Sequence, residues 1–368
     1  MGGLSRVKPT FRDRSIQPNI RPVPLMPLGR IFKMMYWTFR KDWRTSPHLL
    51  AVTAGWLANL VALKLRGLTG RGMVVIGLVE HLGDIVAAEP IARLARRQYP
   101  DSRVAWVTRK PYASVPAAFV AVDTVVKVTC VTEWLLLDAS GVGNPVWDLH
   151  INQRHCPRCQ IPIQKIGAAG AIQPENYYEF GNLLEVECLL AGLPVLKDQP
   201  ELPVDPTVVA AVDQLNLPPR FVVLHCASNE ASRDWPRANW VALVSELLLE
   251  PGIAAVEIGS RAVAVTRDEA DKRNLCGTLS IRQSAEVIRR AALFIGIDSG
   301  PAHLANAVGT PGVILLGNYR GFGAYMPYSG RYADGEGAEI VRVDGPMEAL
   351  TVPPVLAAAR RRLDREPC

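Results

Sequence analysis

Residues 292–317, ALFIGIDSGPAHLANAVGTPGVILLG, constrain this chain more than any other stretch. They read as a buried strand, a polar turn, a short helix and a second buried strand. The turn Asp298-Ser299-Gly300-Pro301 falls where a parallel strand ends and a helix begins. In an open α/β sheet, ligands bind in that crevice. A glycine there allows close backbone approach, and the free N–H groups of a helix start favour an anion such as a phosphate. One such turn is weak evidence. A second in the first half of the chain makes the pattern specific.

The 368 residues allow two domains of ordinary size, and a 49% hydrophobic content supplies a large core. The net charge of +6 is a mild excess for this length. No RNA- or DNA-binding motif accompanies it, so nucleic acid is not an expected partner. The excess suits work beside anionic lipid or phosphorylated substrates. Seven scattered cysteines, an odd number, point to a reducing compartment with mostly free thiols. With no secretory signal evident, a cytoplasmic location is expected.

Residues 1–70 read as a basic and aromatic extension. The first thirty are rich in Pro and Arg, and residues 30–44, RIFKMMYWTFRKDWR, interleave aromatic with basic side chains. Residues 49–65 are apolar but interrupted by Thr53 and Asn59, short of the roughly 18 uninterrupted apolar residues of a spanning helix. Two readings stand. Residues 30–66 are an interfacial anchor at the cytoplasmic face of the inner membrane, with Trp37, Trp43 and Trp56 at headgroup level. Alternatively they are a helical extension packed on its own domain or on a second subunit.

The expected fold class is α/β, two Rossmann-like domains whose parallel sheets face each other across a cleft. In residues 71–200, strands are expected at 73–79, 103–109, 123–129 and 146–152, with helices over 84–99 and 177–191. The four prolines of residues 192–206 mark a linker. In residues 201–345, strands are expected at 220–226, 253–259 and 339–343, and helices over 237–249 and 280–290. Residues 346–368 carry a helix over 347–363, placed to cross back to the first domain.

The first domain opens with the turn Glu80-His81-Leu82-Gly83-Asp84. Asp84 either caps the helix that follows or sets a carboxylate at the cleft mouth, where it takes a proton from a hydroxyl. Residues 150–159, HINQRHCPRC, hold two histidines and a Cys-x-x-Cys pair. His155, Cys156 and Cys159 are therefore weak metal candidates, with a loop of free thiols as the alternative. A structural site needs four converging ligands and the chain has no second Cys-x-x-Cys, so no metal is expected.

Three segments carry a family resemblance. VVIGLVEHLGDIVAAEPIARLARRQYPDSRVAWVTRKPYA resembles the opening of glycosyltransferase family 9, the bacterial heptosyltransferases. HCASNEASRDWPRANWVALVSELL resembles the family's segment with a basic residue before Trp-Pro, and GTLSIRQSAEVIRRAALFIGIDSGPAHLANAVGTP is similar to its most distinctive block. The likeness covers residues 72–317 in matching order. It implies a GT-B fold, with the acceptor on the N-terminal domain and a nucleotide sugar on the C-terminal one. It also implies inverting transfer with no required metal or cofactor. Asp84 matches the family's general base, with Gly83 and His81 in the acceptor-side loop. Arg233 stands where members usually carry Lys against the donor phosphates. Asp298, Ser299, Gly300 and His303 match the donor-side turn, where backbone N–H groups and Arg233 would hold the departing diphosphate. Without the resemblance each has an ordinary role: helix capping for Asp298, local bonding for His303, a solvated loop for Arg233. The chain departs from the family at Gly259-Ser260-Arg261-Ala262, with Glu257 inside the strand, at Asn318-Tyr319-Arg320, and at His81. The activity implied is transfer of heptose from an ADP-heptose-like donor to a lipopolysaccharide core or related lipid-linked glycan acceptor. A UDP-sugar transferase of the same fold and a non-catalytic glycan- or partner-binding protein are the alternatives.

Overall fold

The computed structural model describes residues 25–67, 72–318 and 325–364. The expectations for residues 1–24, for Tyr319-Arg320 and for residues 365–368 fall outside the described residues. Two helices, α1 (Leu28–Lys41) and α2 (Ser46–Gly67), precede the first sheet. The first lobe then runs β1 (Met73–Gly77), α3 (Leu82–Ala87), α4 (Glu89–Gln98), β2 (Arg103–Arg109), β3 (Thr124–Val128), α5 (Val131–Ala139), β4 (Val146–Asp148), α6 (Gly167–Gly170) and α7 (Leu183–Ala191). The second runs α8 (Pro206–Asp213), β5 (Phe221–His225), α9 (Arg237–Leu247), β6 (Ala254–Glu257), β7 (Lys272–Asn274), α10 (Ile281–Arg290), β8 (Leu293–Ile297), α11 (Gly300–Ala307), β9 (Gly312–Leu316), β10 (Ala338–Arg342) and α12 (Val352–Leu363).

Both sheets are parallel, in the orders β3-β2-β1-β4 and β10-β9-β8-β5-β6-β7. Parallel sheets are covered on both faces, so their strands are continuous apolar runs. Every residue of β1, β5, β8 and β9 is buried. Alternation then sorts β1: Val74 and Ile76 pack with α3 and α4, while Met73 and Val75 pack with α1, α2 and α5. Each sheet reverses its strand order beside its first strand, between β1 and β4 and between β5 and β8. These two reversals place a ligand crevice at the carboxyl ends of those strands.

Several boundaries differ from the sequence expectation, each for a local reason. The helix expected over 84–99 is two helices, because Pro90 at the start of α4 lacks an N–H and crowds the preceding turn. The strand expected over 146–152 ends at Asp148, whose side chain enters a buried ion pair. The helix expected over 177–191 begins at Leu183, where Asn182 and Glu185 form a reciprocal capping box. α12 starts at Val352 and packs on α9, β8, β9 and β10. Its Arg360 and Arg361 pair with Glu250 and Glu339. It thus lies on the second lobe rather than crossing to the first.

α1 and α2 pack on α5, and α2 also reaches β3. Ile31, Val52 and Trp56 join the core under β1, and Trp56 Nε1 donates to Ser140 Oγ at 2.9 Å. The extension therefore covers its own lobe. Its other side is apolar too: Trp43 is 70% exposed and Leu50 71%. The helical stretch Trp43–Gly67 is long and apolar enough to cross a membrane by length and composition.

Candidate active site

β1 closes at Gly77, where any Cβ would overlap the Trp134 indole. The chain then passes through residues 78–81 into α3, whose first turn carries Gly83 and Asp84. Val79 N–H donates to His150 Nε2 at 2.9 Å. That bond leaves the ring proton on Nδ1, which donates to Asp148 Oδ1 at 2.6 Å. Asp148 also accepts from Trp134 Nε1 at 2.8 Å and pairs with Lys165 Nζ at 2.6 Å. Lys165 Nζ further donates to the Leu190 carbonyl at 3.1 Å. All four side chains are buried. A closed polar network thus fixes the loop that delivers Asp84. Glu80 in that loop pairs with Arg109 at 3.0 Å, and His81 is exposed at the helix start without a capping hydrogen bond.

The opposing wall rises from β8. Asp298 is buried, and its Oδ1 accepts from Tyr328 Oη at 2.9 Å. Ser299 Oγ donates to the Ile297 carbonyl at 3.2 Å and accepts from His225 Nδ1 at 3.0 Å. His225 ends β5, the strand beside β8, so the pair sits at the second sheet's reversal point. Arg233, in the turn Ala231–Arg233, donates Nη1 to the Asp298 carbonyl at 3.4 Å. The neighbouring Asp234 braces this loop by accepting from Ser228 N at 2.7 Å and Arg261 at 2.8 Å. Ser232, Arg233, Asp298, Leu316, Gly317 and Met347 border an open pocket of ≈ 230 Å³.

The two walls meet at glycines. A Cβ on Gly83 would stand 2.8 Å from His303 Cδ2, and one on Gly300 would stand 2.8 Å from Leu82 Cδ2. Each lobe's helix start is therefore seated against the other. Burial holds the His303 imidazole below its usual pKa, while Asp298 and Asp84 pull it up and Arg233 opposes them. One ring thus feels the charges of both walls. Burial likewise raises the phenols of Tyr177 and Tyr325, and Asp298 and Asp84 raise both further. These two tyrosines, one from each lobe, pack edge to face at 5.8 Å.

The structure therefore brings together Gly83, Asp84, Arg233, Asp298, Ser299, Gly300 and His303, with His81 at the rim. Cys156 and Cys159 lie instead in the core on the far face of the first sheet, with α1 and α2. His155 is exposed, its Nδ1 3.0 Å from the Gln153 carbonyl. The sequence reading did not single out His225, Tyr328, Tyr177, Tyr325 or Glu187. Glu187, on α7, is buried, and its carboxyl is held well above the usual range by burial and then by Asp84. A polar residue at the end of an apolar strand was the available signal for His225. Glu257 has a local duty: it accepts from the N–H groups of Val263, Ala264 and Val265 at 2.6–2.9 Å.

Burial holds the His225 pKa at about 4, against 6.5 when unfolded. Between these values the unfolded chain binds the extra proton, so stability is full above 6.5 and is lost as pH falls towards 4. His225→Asn keeps a donor for Ser299 but does not titrate. Wild type is expected to lose stability relative to this variant on going from pH 7.5 to 5, as read by thermal unfolding at several pH values.

Residues 182–331 match the family model of glycosyltransferase family 9 (heptosyltransferase). No curated protein matches the chain. Among solved structures, a family 9 glycosyltransferase from Veillonella parvula superposes with a TM-score of 0.59 at 16% identity, covering 79% of this chain and 97% of that one. The E. coli ADP-heptose lps heptosyltransferase II gives 0.59 at 16%, covering 79% and 98%. E. coli heptosyltransferase WaaC with ADP-2-deoxy-2-fluoro heptose gives 0.52 at 18%, covering 78% and 99%. At these identities the superpositions speak for the fold. Residues 182–331 thus resemble glycosyltransferase family 9, and the superpositions show that the chain shares the GT-B-like, two-lobed α/β fold of these solved structures.

Proposed function

We propose that this chain transfers a heptose from an ADP-heptose-like donor to a hydroxyl of a lipopolysaccharide core or related glycan, with inversion at the anomeric carbon. The observation that carries the reading is the seating of the Gly83-Asp84 helix start against His303 of the other lobe, where Arg233 also reaches the Asp298 carbonyl. In this scheme Asp84 takes the proton from the acceptor hydroxyl. The oxygen attacks the anomeric carbon from the face opposite the nucleotide. Arg233, Ser299 and the amides at the start of α11 hold the departing diphosphate. Arg in place of Lys serves because a guanidinium can grip phosphate oxygens bidentately. Burial lowers the pKa of both His303 and His225 and so disfavours a competing positive charge on either ring. The acceptor side is assigned to residues 71–200 and the donor side to residues 201–345. Residues 30–66, basic on α1 and apolar on the outer side of α2, are assigned to contact with the cytoplasmic face of the inner membrane.

The test is mass spectrometry of acceptor incubated with the protein and ADP-heptose, beside calorimetric titration with ADP and UDP. One heptose added to the acceptor and tighter binding of ADP are expected. Preference for UDP would move the donor assignment, since Glu257 is committed to its own loop. Binding of acceptor with neither transfer nor donor hydrolysis would favour a non-catalytic binding protein.

A further inference from the structure

We propose that His48, Cys130, Cys156 and Cys159 form a tetrahedral binding site for one zinc ion, outside the active-site cleft. One ligand atom from each of these four residues lies within 4.8 Å of every other. Cys130, Cys156 and Cys159 are buried and His48 is half-buried. Two of the spacings match a tetrahedron about zinc. Zn–S bonds of ~2.3 Å and Zn–N bonds of ~2.0 Å put two sulfurs ~3.8 Å apart and a sulfur and nitrogen ~3.5 Å apart. Cys130 Sγ and Cys159 Sγ are 3.9 Å apart, and Cys156 Sγ and His48 Nε2 are 3.4 Å apart. A disulfide needs ~2.05 Å.

The chain shapes this cluster from three places. His48 stands in the first turn of α2, and Cys130 precedes α5. Cys156 and Cys159 occupy a tight turn, closed by Gln160 N donating to the Cys156 carbonyl at 2.8 Å, inside a short antiparallel bridge between His155 and Pro162. Thr38 Oγ1 of α1 donates to the Cys159 carbonyl at 2.9 Å, tying the turn to the extension. Three thiolates and an imidazole in tetrahedral array suit zinc among the biological divalent cations. All four coordination positions are filled by protein, as in structural sites, leaving none for substrate. The ion would clamp α2 and the Cys-x-x-Cys turn onto the first lobe. On binding, Zn²⁺ takes the place of the thiol protons, which pass to solvent.

The test is elemental analysis of the full chain, purified under reducing conditions without chelator or affinity tag. One zinc per chain is expected. His48→Ala, Cys130→Ser and Cys159→Ser are expected to lose most of it, while His155→Ala retains it. Should the cysteine variants fail to fold, cobalt replacement in wild type gives an independent reading: tetrahedral d–d bands with thiolate-to-cobalt charge transfer are expected. Less than about 0.1 zinc per chain after reconstitution with excess Zn²⁺ would overturn the proposal, because a preformed structural site fills stoichiometrically. So would a Cys130–Cys159 disulfide, unchanged zinc in His48→Ala, or iron in place of zinc.

Discussion

Asp84→Asn is expected to lower kcat for sugar transfer by about 10²–10⁴-fold, the usual contribution of a general base. That corresponds to ~2.7–5.5 kcal/mol on the barrier. The amide matches the carboxylate in size, and the Asp84 carboxylate has no hydrogen-bond partner among the described residues, so the substitution removes basicity with little change in packing. The proposed diphosphate cradle is on the other lobe, at Arg233, Ser299 and the start of α11. Affinity for ADP, measured by calorimetry, is therefore expected to stay within about 3-fold, less than 1 kcal/mol. Turnover equal to wild type would remove Asp84 from the base role. Loss of ADP affinity together with turnover would mean that the residue shapes the cleft instead.

Lys165→Met is expected to destabilise the first lobe by about 3–5 kcal/mol, the cost of leaving one partner of a buried ion pair uncompensated. Lys165 and Asp148 side chains are 0% exposed, and Asp148 would lose its ammonium partner while keeping its bonds to His150 and Trp134. Adding Asp148→Asn to Lys165→Met should recover part of the loss, because the orphaned charge is gone, and a double-mutant cycle in urea unfolding measures that recovery. The effect should also reach catalysis. His150 carries the network to Val79 N–H, and the loop from Val79 leads into the turn holding Asp84. A change in unfolding free energy within ~0.5 kcal/mol, the range of ordinary surface substitutions, would contradict this account of the network.

What was legible in the sequence is what local pattern controls. Strands β1, β5, β8 and β9 stood out because burial on both faces demands unbroken apolar runs. The turn at Asp298-Ser299-Gly300 stood out because a second strand-to-helix turn, at Gly83-Asp84, recurs in the first half of the chain. Pro90 marked the break between α3 and α4, but the strong apolar face of residues 85–95 hid it. Pairings distant in sequence were not legible. Ser299 meets His225 across 74 positions, and Cys156 meets His48 across 108. Counting Cys-x-x-Cys pairs therefore missed the residues that complete the cysteine cluster. Charge and spacing could not separate His150 from His155 either. The end of β4 turns one ring into the Asp148 network and leaves the other exposed.

The most direct test of the account is a crystal structure of the protein with ADP-heptose bound. The diphosphate is predicted at the start of α11, against Ser299, Gly300 and the Arg233 guanidinium, with the anomeric carbon turned towards Asp84. A donor bound with its sugar directed away from Asp84, or a diphosphate held elsewhere on the chain, would contradict it.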